Sequence, residues 1–221
     1  MELSEIEKDI HPNLYSKLIK DIKTLRPSQE KSINSGLIDN NNLLVCTPTA
    51  SGKTLVAEIA MLSHIYNNKG KAIYIVPLKA LASEKYEEFK IKYHDIKVGI
   101  SIGDIDSSDR YLEKCDLIVT VAEKLDSLIR HKAIWLTNIS CIVIDEIHLL
   151  NDTSRGPTLE ILITILRKIV KNAQIIGLSA TIGNPDVLAG WLKAKLVIDD
   201  WRPVKLRKGI FHDGEIEFYD D

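Results

Sequence analysis

Seven short apolar runs, each unbroken and rich in β-branched residues, recur along the chain at 43–46, 72–76, 98–102, 117–121, 141–144, 175–178 and 196–198. A strand with one wet face alternates apolar and polar residues, whereas a strand covered on both faces has no polar positions to spare. These runs therefore predict a parallel sheet sandwiched between helix layers. The segments between them read as helices. Pro27 and Gly36 bracket one, Lys53 to Tyr66 forms another that stops near Gly70, and Asn184 with Pro185 has the form of an N-cap and first-turn pair. The expected fold class is α/β, a doubly wound and mostly parallel sheet with helices on both faces. Asp213-Gly214, flanked by 209–211 and 215–219, is a two-residue hairpin signal and predicts a closing antiparallel ribbon.

With 221 residues the chain is long enough for one large domain. The expected division is 1–200, carrying N-terminal helices over 1–38, and a short extension over 201–221. A formal net charge of −2 excludes partner binding by bulk charge, so contacts with nucleic acid must be local. Cys46, Cys115 and Cys141 lie in apolar runs without the spacing of zinc ligands, and read as buried residues of a reducing compartment. The first twenty residues are charged throughout, and no run of about 18 uncharged apolar residues exists to span a bilayer. A cytoplasmic location without membrane contact is expected.

The run at 43–46 leads into Thr47-Pro48-Thr49-Ala50-Ser51-Gly52-Lys53-Thr54, which opens a helix at Lys53. A strand, a tight loop and a helix N-terminus in that order make a phosphate cradle. Backbone N–H groups face the phosphates, Lys53 reaches the β and γ oxygens, and Thr54 ligates magnesium. Thr47 stands where such loops usually begin with glycine. Asp145-Glu146-Ile147-His148 follows the run at 141–144, putting two carboxylates at a strand's carboxyl end, where open parallel sheets bind ligands. Asp145 is the candidate magnesium carrier and Glu146 the base on the attacking water. His148, and the hydroxyls of Ser179 and Thr181 after the run at 175–178, are candidates for coupling this site to its surroundings. Gln29, in the first turn of a helix, can bond both the N6 and N7 positions of adenine.

Taken in order, RPSQ (26–29), TPTASGKT (47–54), PLKALASEK (77–85), TVAEKLDSLIR (120–130), DEIH (145–148) and SAT (179–181) resemble superfamily 2 DExH helicases. The stretches DEIHLLNDTSRGPTLE, GLSATIGNPDVLAGWL and DWRPVKLRKGIFHDG look most like archaeal Holliday-junction-migration and fork-repair DNA helicases, relatives of the polymerase theta helicase module. The resemblance implies a RecA-like P-loop NTPase domain using ATP and magnesium. It implies that Pro77, Leu78, Lys79 and Ala80, then Gly103 and Asp104, then Thr120, Glu123 and Lys124, grip a sugar-phosphate backbone of single-stranded or forked DNA. Helix N-termini and hydroxyls suit that work because they bind phosphates without reading sequence. The basic stretch 202–208 reads as surface strand with no ligand.

Two alternatives stay open on the residues alone. Backbone-gripping groups do not report which sugar they prefer, so an RNA helicase fits the same motifs. A nucleotide-gated binding module without turnover also fits, although such a switch has no need of Glu146 as a base. A second RecA-like domain, source of an arginine that stabilises the transferring phosphate, is also implied, yet no QxxGRxGR-like segment follows Thr181. The chain is expected to be an N-terminal motor-domain fragment that binds nucleotide weakly and turns over slowly.

Overall fold

Val, Ile and Leu dominate the central strands because helices cover both faces of the sheet there. The computed structural model describes residues 1–103, 110–204 and 207–219. Its strands are β1 (Leu43–Cys46), β2 (Lys71–Val76), β3 (Val98–Ser101), β4 (Leu117–Val121), β5 (Ile139–Ile144), β6 (Gln174–Ser179) and β7 (Lys195–Ile198). They form one sheet in the order β3-β4-β2-β5-β6-β1-β7, and every neighbouring pair is parallel. All seven carboxyl ends therefore share one rim.

Alternate residues of each strand supply two separate cores. Leu43, Val45, Tyr74, Val143 and Ile176 pack on one face, with residues of α1 (Pro12–Asp21), α3 (Lys53–Tyr66) and α4 (Lys79–Lys92). Leu44, Ile73, Ile142 and Ile175 pack on the other, with residues of α5 (Ala122–Arg130), α6 (Gly156–Ile169) and α7 (Pro185–Leu192). Helix α2 (Pro27–Asn34) approaches β1, β7 and α3. The doubly wound arrangement expected from uninterrupted apolar runs is the arrangement found. Among the described residues no helix is long and apolar enough to cross a membrane.

Strands β8 (Lys208–His212) and β9 (Glu215–Tyr219) form a separate antiparallel pair. Asp213 at φ 50° and Gly214 at φ 87° give the turn two positive φ values, as a two-residue hairpin with right-handed twist requires. Asn184 and Pro185 stand as the N-cap and first-turn residues of α7, as expected, although the Asn184 side chain makes no capping hydrogen bond. One expectation needs correction: residues 202–204 are not strand, and β8 begins only at Lys208.

Candidate active site

The phosphate loop hangs from β1 and is braced both by β6 and by its own hydroxyls. Thr47 N–H donates to the Ser179 carbonyl of β6 (3.2 Å), and the Thr47 and Ser51 hydroxyls lie 2.7 Å apart, both buried. The positive φ values of the loop fall at Ala50 (65°) and Gly52 (95°), so the position of Thr47 makes no demand for glycine. Thr47 instead uses its hydroxyl to brace the loop. Lys53 Nζ donates to the carbonyls of Thr47 (3.1 Å) and Ser179 (3.0 Å), which leaves one of its three N–H donors for a phosphate. Thr54 is half-buried in the first turn of α3, while Thr49 and Ala50 of the loop are exposed.

Gln29 closes the loop from the side. Its Oε1 accepts the Arg26 N–H (2.8 Å), capping α2, while its Nε2 donates to the Gly52 carbonyl (3.1 Å). One lone pair and one N–H remain for an adenine edge, on a residue only 4% exposed. Arg26 Nη1 donates to the Ala50 carbonyl (2.8 Å), and its guanidinium lies 5.4 Å from the Trp201 ring centroid. Trp201 is a neighbour of the loop that the linear sequence gave no reason to place there; only chain folding brings 201 to 26.

The carboxylates stand two strands away on the same rim. β6 lies between β1 and β5, so roughly 10 Å, or two strand spacings, separates the two sequences. A triphosphate with its metal spans that distance. Asp145 Oδ1 accepts the Glu146 N–H (3.0 Å), and Asp145 Oδ2 accepts the hydroxyl of Tyr74 (2.7 Å). Burial, and then the Asp145 charge, pushes the Tyr74 phenol well above its ordinary pKa, so it is a standing donor. Glu146 adopts φ 50°, ψ 44°, a left-handed conformation that costs a residue with a side chain on the order of 1 kcal/mol or more. His148 Nδ1 sits 3.2 Å from Glu146 Oε2 but makes no hydrogen bond there.

A cavity of about 20 Å³ lies against Asp145 and Glu146 and is bounded by Pro77, Glu123, Leu149 and Arg155. It has room for one water molecule. A wider hollow, about 500 Å³, lies at the opposite end of the sheet beside His64, Ile139 and Ala173. Size alone does not locate the chemistry, because ligands of open parallel sheets gather at the carboxyl ends.

The remaining expected residues divide. Pro77 is half-buried and Leu78, Lys79 and Ala80 are exposed where β2 turns into α4, with Lys79 its first residue. Gly103 and Glu123 are exposed on the same rim, after β3 and in the first turn of α5; Asp104 lies outside the described residues. Thr120 and Lys124 are not on the surface. Thr120 is 0% exposed and donates to the Ser101 carbonyl (2.7 Å), because it sits within β4 between β2 and β3. Lys124 is 2% exposed on the inner side of α5. Ser179 Oγ is buried without a hydrogen-bond partner and Thr181 is exposed, so neither hydroxyl engages the carboxylates.

A phosphate loop on one strand, and an acidic turn two strands over, define a P-loop nucleotide-binding domain. The DEAD/DEAH box helicase model matches residues 26–188, and the chain belongs to that family. It is 57% identical to the ATP-dependent DNA helicase Hel308 of Methanocaldococcus jannaschii over 211 residues, covering 91% of this chain and 17% of that relative. To the Hel308 of Pyrococcus abyssi it is 53% identical over 203 residues, covering 91% and 28%. The chain thus spans less than a third of these relatives. Among solved structures, the DUF1998 helicase MrfA bound to DNA superposes with a TM-score of 0.76 at 25% identity, over 87% of this chain and 30% of that one. The Mycobacterium smegmatis helicase Lhr bound to ssDNA and AMP-PNP gives 0.74 at 26% identity, over 89% and 28%.

Proposed function

We propose that this chain is the ATP-binding motor domain of a cytoplasmic DNA helicase, with residues 1–200 forming the motor and 201–221 an extension of it. The observation that carries the reading is the placement of Lys53 and Thr54, and of Asp145 and Glu146, on one rim two strands apart. The Hel308 relatives, and the DNA-bound neighbours in structure, support DNA as the polymer.

The residues fit a hard divalent ion. Among the described residues no cluster of three acidic, histidine or cysteine side chains exists to cage a metal. Magnesium suits such a site, since it is held through one or two protein oxygens and completes its shell with phosphate and water. Thr54 and Asp145 are those oxygens in this reading. When bound, the ion neutralises charge on the β and γ phosphates. Lys53 gives its free N–H to the same phosphates, and Gln29 offers its remaining amide groups to adenine. Glu146 orients the attacking water and takes its proton, its left-handed backbone setting it beside the water-sized cavity. Leu78, Lys79 and Ala80, with Gly103 and Glu123, lie on the rim where a single or forked DNA strand crosses the end of the sheet. A second RecA-like domain of the parent protein closes the other side of the nucleotide.

Glu146→Gln in the full-length protein tests the reading. Nucleotide affinity should stay within about twofold while phosphate release falls by two orders of magnitude or more, in line with loss of a general base. Undiminished phosphate release would reassign the base.

A further inference from the structure

Tyr74 is fully buried in the middle of β2, in a run otherwise made of Lys, Ala, Ile and Val. Register explains where its phenol goes. Tyr74 pairs with Val143 on β5, and Asp145 lies two residues beyond Val143, so all three project from the same face of the sheet. The ring reaches forward along that face to the rim, and its hydroxyl meets Asp145 Oδ2 at 2.7 Å. The ring is held there. Phe89 of α4 packs edge-on against it, with centroids 5.3 Å apart at 74°, and Tyr93 stacks on Phe89 at 6.3 Å. Tyr93 in turn donates to the buried carboxylate of Glu58 on α3, the helix that begins with Lys53 and Thr54. The phenol is therefore wedged in aromatic packing that leaves its O–H one acceptor, and that acceptor is Asp145.

The geometry points to Tyr74 as a positioning residue for the metal–nucleotide site: its hydroxyl fixes the orientation of the Asp145 carboxylate that carries magnesium. Each Asp145 oxygen spends one lone pair inside the protein, on Tyr74 and on the Glu146 N–H, and keeps another for the ion or its water. Two donors on opposite oxygens stop the carboxylate from rotating, so the ligand is preorganised before the ion arrives. Hydrogen bonds of this kind to metal ligands are worth about 10- to 100-fold in metal affinity. The inference rests on the reading of Asp145 as the magnesium carrier.

A merely structural hydroxyl and a positioning one differ in what their loss does to magnesium dependence. In the full-length protein, ADP affinity is measured by calorimetry with magnesium and with EDTA, for the wild type, Tyr74→Phe, Asp145→Asn and the double variant. Tyr74→Phe should lose about tenfold in ADP affinity with magnesium and nothing in EDTA, where an intact affinity also reports an intact fold. In the Asp145→Asn background the same change should have no further effect. Equal magnesium enhancement in Tyr74→Phe and the wild type overturns the proposal while leaving Asp145 in its role, provided Asp145→Asn abolishes the enhancement. If Asp145→Asn also keeps it, the carrier assignment fails and the role of Tyr74 fails with it.

Discussion

Replacing Gly52 with alanine should destabilise the protein through a contact that only the folded chain reveals. Gly52 sits at φ 95°, where an alanine carries strain on the order of 1–2 kcal/mol. Its Cβ would also stand 2.4 Å from Gln29 Nε2 and 3.2 Å from Arg26 Cδ. The amide must move, and its departure breaks the Nε2 bond to the Gly52 carbonyl and the cap on Arg26 N–H. At roughly 0.5–1.5 kcal/mol each, those bonds bring the loss to about 2–5 kcal/mol. Alanine's smaller unfolded-state entropy returns about 0.5–1 kcal/mol, for a net loss of about 1–4 kcal/mol. In a chain of this size that lowers Tm by roughly 2–16 °C.

The decisive measurement is a double-mutant cycle with Gln29→Ala, followed by calorimetry and urea unfolding. Gln29→Ala alone should cost about 1–2 kcal/mol, since it loses the same two bonds. In the double variant the bonds can be lost only once and the clash has no partner. Its cost should fall short of the sum by about 1–2 kcal/mol. Additivity within about 0.5 kcal/mol would show that the two side chains do not meet, and that the close contact between α2 and the phosphate loop is misplaced.

Two further outcomes follow from buried polar groups. Tyr93→Phe removes the hydroxyl that donates to Glu58 at 2.7 Å and leaves that 2% exposed carboxylate on Lys92 alone. The urea midpoint should fall by an amount worth about 1–3 kcal/mol with an unchanged m-value, and an unmoved midpoint would contradict it. His64 is buried, with its ring bonded to Gln174, and burial holds its imidazole pKa below the ordinary value. The folded chain then resists a proton that the unfolded chain accepts below about pH 6.5, so this contribution is whole above that pH and is lost as pH falls through it. Stability measured from pH 7 to 5 should fall more steeply in the wild type than in His64→Leu; equal slopes would refute it.

Much of the fold was legible because both faces of the inner strands β1, β2, β4, β5 and β6 are buried. Uninterrupted apolar runs mark strands of that kind, and their positions survive almost unchanged in β1, β4 and β6. What local pattern does not carry is partnership across the chain. Gln174 opens β6 although it is polar, since its amide bonds the carbonyls of Leu37 and Asn41, both at 2.8 Å. The motif around Thr120 and Lys124 reads as surface because threonine and lysine usually lie there. Here the threonine falls inside a strand flanked on both sides, and the lysine falls on the inner face of a helix. Tyr74 was invisible for the converse reason: inside an apolar run a tyrosine passes for a core aromatic, and its acceptor lies 71 positions away.

The same distinction bears on how the phosphate loop and the Ser179-Ala180-Thr181 segment are joined. Hydroxyls are the natural suspects in such a segment, yet the Ser179 hydroxyl has no partner and that of Thr181 faces solvent. The connection runs through the backbone. The Ser179 carbonyl accepts both the Thr47 N–H and the Lys53 ammonium, so one oxygen on β6 is bonded to each end of the loop. That tie leaves the third N–H of Lys53 for a phosphate, and it is made by a carbonyl, a group no side-chain motif can display.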